Sequence, residues 1–129
     1  MVFKEAIKTQ TMATKKIYHL ANCGTCKRIV DEVKPVKEVE LQDIKTNPIT
    51  AIQLDEMAKI AGSYEALFSR VALKYRALGL NNMSLSEKDY KNYILEEYTF
   101  LKRPVAVVNN QIFIGNAKAT VAALKEALK

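Results

Sequence analysis

The sequence has little of what metal, membrane or nucleic-acid functions require. Its 129 residues hold two cysteines, Cys23 and Cys26, and one histidine, His19. Structural zinc takes about four Cys or His ligands. Three candidates, two of them in one helical turn, make no such set, so no metal is expected. No apolar run approaches the ~20 residues that cross a bilayer, so no membrane helix is expected. Met1–Thr14 lacks the apolar segment of a secretory signal, which makes the cytoplasm the expected compartment. There a Cys-x-x-Cys serves as a catalytic or redox-sensing pair rather than a permanent staple. The net charge of +6 suggests anionic partners, yet the basic residues never run longer than two, and direct nucleic-acid binding is not expected.

What is present suits one domain with a proper core, since 49% of the residues are hydrophobic. Met12 stands close before the first strand, and Met1–Thr14 is expected to be a flexible extension. The chain is organised around His19-Leu20-Ala21-Asn22-Cys23-Gly24-Thr25-Cys26. Lys16–Leu20 reads as a short strand. Cys26, Ile29, Val30 and Val33 then recur at i, i+3, i+4 and i+7, one apolar face of a helix. Asn22 is a good N-cap, which puts Cys23 in the first turn and Cys26 one turn on. Backbone N–H groups at a helix start have no intrahelical partners, and with the helix dipole they favour a thiolate over a thiol. Cys23 is therefore expected to titrate below the ~8.5 of a free cysteine. The competing readings are two inert buried cysteines and, for His19, a satisfied core position instead of one facing Cys23.

The first helix is expected to stop near Lys34-Pro35, and Val36–Leu41 reads as a second strand. Three helices follow at about 48–100. Thr50 and Gln53 have capping-box spacing before Leu54, Met57, Ala58 and Ala61, with an end at Gly62. Ser63 caps a helix carrying Tyr64, Leu67, Phe68 and Val71 that closes near Gly79. Ser84 and Glu87 repeat the capping-box spacing before a helix over Lys88–Tyr98. The period then changes. Val105–Val108 is a continuous apolar run, the mark of a buried strand. Asn109-Asn110 is a two-residue hairpin turn, Gln111–Ile114 returns antiparallel, and Gly115-Asn116 opens a last helix with Ala117, Val121, Leu124 and Leu128. The order is βαβ, a helical insertion, then ββα. Cys-x-x-Cys at the first βα turn of such a unit points to an α/β, thioredoxin-like fold.

His19-x3-Cys23-Gly24-Thr25, Arg103-Pro104-Val105 and Ile114-Gly115 together resemble the glutaredoxin-linked arsenate reductases and their relatives, the Spx-type transcription regulators. The resemblance covers about residues 15–128. It implies a thioredoxin fold with an inserted helical segment. It makes Cys23 the nucleophile, His19 the residue linked to its low pKa, Arg103 the arginine at the oxyanion, and Pro104 a cis-proline facing the thiolate. Asn22, Gly24, Thr25, Arg70 and Asn116 fall in the substrate-binding positions. Arsenate reductases of this type carry serine where Cys26 stands and take their reducing thiol from glutathione. Here Cys26 can resolve the intermediate itself, with glutathione, glutaredoxin or thioredoxin as the implied reductant and no other cofactor. The arginine expected after Ile114-Gly115 is Asn116, and Arg70 matches the arginine of the helical block only with a one-residue shift before Tyr75. The implied function is a thiol-dependent oxidoreductase with a redox partner protein, small thiol or oxyanion as substrate. The alternative is a redox-sensing regulator that binds RNA polymerase. Gly62, by its sequence an ordinary helix C-cap, stands near the position where those regulators contact the polymerase α subunit.

Overall fold

A computed structural model describes residues 15–21, 23–33 and 39–128. The chain divides into two compact units. One takes Arg103–Lys129 with the described residues of Met1–Asp43, and the other is Ile44–Lys102. Expectations for Met1–Thr14 lie outside the described residues.

The first unit carries strands β1 (Lys15–His19), β2 (Glu40–Asp43), β3 (Val105–Val108) and β4 (Gln111–Ile114), in the sheet order β2-β1-β3-β4. β1 runs parallel to β2 and antiparallel to β3, and β3 runs antiparallel to β4. Ile17, Ala106 and Phe113 lie side by side across the three right-hand strands. Helix α1 (Gly24–Val33) buries Cys26, Ile29, Val30 and Val33, the face given by the periodicity. Val30 and Val33 join Ile17, Ala106, Val108 and Leu124 and Leu128 of the last helical segment in one hydrophobic core. Burying each such side chain stabilises by roughly 1.5–3 kcal/mol. The β3–β4 hairpin turns on Asn109 at φ 57°, the positive φ that asparagine tolerates.

Two expectations change in this unit. β2 begins at Glu40 rather than Val36, and Val36–Glu38 lie outside the described residues, as does the Lys34-Pro35 helix stop. Leu41 stays 45% exposed while Gln42 is buried, the reverse of the expected alternation, on a strand at the edge of the sheet.

The second unit starts with α2 (Ala51–Ala61). Thr50 and Gln53 form the expected capping box, and Gly62 ends the helix at φ 100°, its N–H bonded to the carbonyl of Ala58. The helix expected from Ser63 to Gly79 is broken. Ser63 Oγ does accept a hydrogen bond from the Ala66 N–H, but only a 3-10 turn, Glu65–Leu67, follows. Phe68 then turns extended to bridge Leu101, and α3 is the short Leu73–Ala77, with Gly79 at φ 74° behind it. The cause is tertiary. The Phe68 ring stacks on Phe100 at 5.0 Å and meets Tyr90 at 4.9 Å, contacts that a continuous helix would forgo. Val71 is left 89% exposed.

Helix α4 (Glu87–Glu96) is capped by Ser86 with Asp89, not by Ser84 with Glu87. Both pairs have the same spacing. Glu87 is instead spent on the backbone N–H groups of Tyr64 (2.6 Å) and Glu65 (3.2 Å), which start the 3-10 turn. The helix stops at Glu96, two residues short of the expected Tyr98, and a 3-10 turn, Tyr98–Phe100, follows. The chain then returns to the first unit through β3 and β4 and closes with α5 (Lys118–Ala127). In α5 Val121 and Leu124 are buried, and Ala117 is an exposed cap residue.

Candidate active site

The turn between β1 and α1 and the first turn of α1 hold the two cysteines as free thiols. Asn22, the expected N-cap, lies outside the described residues. Cys23 takes the cap position itself. Helix α1 begins at Gly24, and the Cys23 carbonyl accepts the first intrahelical bond, from the Lys27 N–H at 2.9 Å. A cap side chain accepts from the backbone N–H groups two and three residues on. At this turn those belong to Thr25 and Cys26, and both donate to the Cys23 sulfur. A cysteine sulfur thus fills the place where serine or aspartate ordinarily sits.

The result is a pair of unlike sulfurs. Cys23 is half-buried and held below the usual thiol range, first by the Cys26 N–H, then by the Cys26 thiol, the Thr25 N–H and the positive charge of Arg103. Cys26 is 1% exposed, and burial raises its thiol to about 11 against opposing help from the Leu20 N–H and Arg103. Cys26 therefore keeps its proton and donates it to Cys23.

The remaining residues take these places. His19 ends β1, half-buried, in register with Asp43. Gly24 is exposed and Thr25 half-buried in the first turn of α1. Arg103 precedes Pro104, which is buried, and the bond between them is cis. The Pro104 carbonyl accepts the Gly115 N–H at 2.9 Å, which draws the turn carrying exposed Asn116 to the Arg103–Pro104 segment. Arg70 belongs to the helical unit. There its Nη2 donates to Glu65 (2.8 Å) and to the Tyr90 hydroxyl (2.9 Å), and its guanidinium lies 5.6 Å from the Tyr90 ring centre.

Three contributors carried no sequence signal. The Leu20 carbonyl accepts the Cys23 N–H at 3.0 Å, and the Leu20 N–H reaches the Cys26 sulfur. Asp43 accepts the Ala21 N–H at 3.4 Å across the β1–β2 pair. Backbone groups leave no mark on composition, and Asp43 sits in no recognisable motif. Among the described residues no three His, Cys, Asp or Glu side chains gather as a metal-ion site, and no helix is long and apolar enough to cross a membrane.

A mixed sheet of four strands with five α-helices among the described residues, and a two-cysteine turn after β1, define a thioredoxin-like α/β protein. The model of the ArsC family matches residues 18–124. The chain belongs to the ArsC family. Among solved structures it is similar to a possible arsenate reductase from Streptococcus mutans UA159, 26% identical over 82% of this chain and 92% of that one, with a TM-score of 0.67. A protein from Staphylococcus aureus COL is 25% identical over 85% and 97% of the two chains, with a TM-score of 0.70. An arsenate reductase from Vibrio cholerae shares the fold at a TM-score of 0.74, covering 87% and 98%, with 17% identity. Among curated proteins no match was found.

Proposed function

We propose that the protein is an arsenate-reductase-like thiol oxidoreductase of the cytoplasm that works through the Cys23/Cys26 dithiol. The observation that carries this reading is the unlike state of the two sulfurs, one lowered by Cys26, Thr25 and Arg103 and the other buried and protonated. The Cys23 thiolate attacks one sulfur of a substrate disulfide. A Cys23–S–S–R bond forms, the substrate S–S bond breaks, and the second substrate sulfur leaves as a thiolate that takes a proton from solvent. Cys26 then loses its proton and attacks the Cys23 sulfur. The Cys23–Cys26 disulfide forms and the first substrate sulfur departs. The substrate gains two electrons and the dithiol loses them. An external thiol, such as glutathione, glutaredoxin or thioredoxin, returns them. A thiolate is the attacking species in each exchange, which is why a lowered Cys23 matters.

Arg103 supplies charge to the thiolate or to an anionic substrate. Pro104, lacking an N–H, leaves an open backbone edge for a substrate segment. His19 lies on the strand leading into the turn and is assigned a supporting role at Cys23. Asn22, Gly24, Thr25 and Asn116 are the positions that substrate would contact. Arsenate is a secondary substrate in this reading, because Asn116 offers no charge. The test is trapping with Cys26→Ser. Incubation with a disulfide should leave a stable mixed disulfide on Cys23 in that variant and none in Cys23→Ser. Stoichiometric capture of RNA polymerase from lysate without any mixed disulfide would favour the regulator instead.

A further inference from the structure

The reduced pair also presents a chelate. Cys23, the cap of α1, and Cys26, in its first turn, are free thiols, and their sulfurs share a hydrogen bond. Residues three apart at a helix start are neighbours on one face, so the two sulfurs can grip a single ion. The sequence limits which ion that is. It offers two cysteines and one histidine in all, too few for the four ligands of a structural zinc. Hard cations prefer oxygen ligands, and none cluster with the pair among the described residues. Soft thiolates select Cu(I), an ion satisfied by few ligands.

The surroundings suit the charge of such a complex. One monovalent ion held by two thiolates carries a net charge of −1. The N–H groups of Cys26 and Thr25 already point to the Cys23 sulfur, and the Leu20 N–H points to the Cys26 sulfur. The positive charge of Arg103 acts on both. Each sulfur thus has its own donors, and the complex as a whole has one nearby cation.

We propose that the reduced Cys23/Cys26 pair is a two-coordinate Cu(I) site, one ion per chain, whose charge is balanced by Arg103. Two Cu–S bonds form, the Cys26 proton and any proton on Cys23 leave for solvent, and no electron moves, so the copper enters and stays as Cu(I). While the ion is bound, neither sulfur is available to a disulfide. The site needs only reduced thiols and is independent of whether the pair exchanges disulfides.

The experiment titrates the full-length reduced chain anaerobically with Cu(I) buffered by bathocuproinedisulfonate, whose absorbance falls as copper passes to the protein. One copper per chain is expected, with no change in oligomeric state on a sizing column. Cys23→Ser and Cys26→Ser should each lose at least roughly a hundredfold in affinity, and Arg103→Gln about tenfold, the lower end for loss of an outer-shell partner. Arg103→Lys keeps the charge and should retain the affinity, which separates the electrostatic role from a folding defect. No transfer of copper, one copper shared between two chains, or a Cys26→Ser variant as tight as the parent would each overturn the proposal. Copper transfer without disulfide exchange would support this site and contradict the oxidoreductase reading, so the two stand or fall separately.

Discussion

Cys26 donates to Cys23 twice, once through its backbone N–H and once through its thiol. Both contacts come from one residue at one place, the third position of a helix whose cap is Cys23. The spacing of two cysteines three residues apart therefore does two jobs. It supplies the hydrogen-bond donor that lowers Cys23, and it buries that donor on the apolar face of α1, where Ile29, Val30 and Val33 continue into the core.

Burial of Cys26 has a consequence for stability. Its thiol is raised from an ordinary 9.0 to about 11, chiefly by desolvation. In the unfolded chain it titrates near the ordinary value. Between the two values the native state keeps a proton that the unfolded state has lost, so stability falls as pH rises there. The contribution is fully present below about pH 9 and lost by about pH 11. Two units correspond to at most about 3 kcal/mol. Urea unfolding of the reduced protein at both ends of that window should show the loss, and Cys26→Ser should show less of it. Equal losses in the two proteins would mean that other groups dominate.

The helical unit offers a test of cap register. Ser86 Oγ accepts the Asp89 N–H at 3.2 Å, and Asp89 accepts the Ser86 N–H at 2.9 Å. Ser86→Ala should cost about 1 kcal/mol in urea unfolding. Ser84→Ala should stay within about 0.5 kcal/mol, as exposed substitutions away from such contacts do. The reverse order would restore the cap to Ser84.

The sequence exposed some elements to the residue and hid others for identifiable reasons. The β3–β4 hairpin was legible because a continuous apolar run, an Asn-Asn turn and a second run agree with one another. The α1 face was legible from its period, and Thr50 with Gln53 from their spacing. The Ser63–Gly79 stretch misled because local pattern favours a helix, whereas Phe68 gains more by leaving it for Phe100 and Tyr90. Ser84 and Ser86 offer the same spacing, and the choice depends on Glu87 being spent on a segment 22 or 23 residues earlier. At the candidate site, the residue types singled out the segment between β1 and α1. That Cys23 caps its own helix depends on backbone N–H directions, which residue identities do not display.

Arsenate reduction should be weak with glutathione and glutaredoxin. Charge-assisted contacts to an oxyanion are roughly twice as strong as neutral ones. Asn116 is exposed and uncharged beside the Gly115 amide that bonds Pro104. Asn116→Arg should lower the KM for arsenate more than it changes kcat, because it adds binding without altering the sulfurs. Efficient turnover by the parent protein at micromolar arsenate would contradict this.

The two sulfurs are shifted in opposite directions, and the rate of alkylation at each cysteine as a function of pH measures that difference. Iodoacetamide labelling of the reduced, folded protein, resolved by peptide mass spectrometry, should show Cys23 reacting faster than Cys26 below pH 7, with a midpoint under the ~8.5 of a free thiol. Cys26 should remain largely unlabelled through neutral pH, and Arg103→Gln should move the Cys23 midpoint upward. Equal rates at the two cysteines, both with midpoints near ~8.5, would contradict the account.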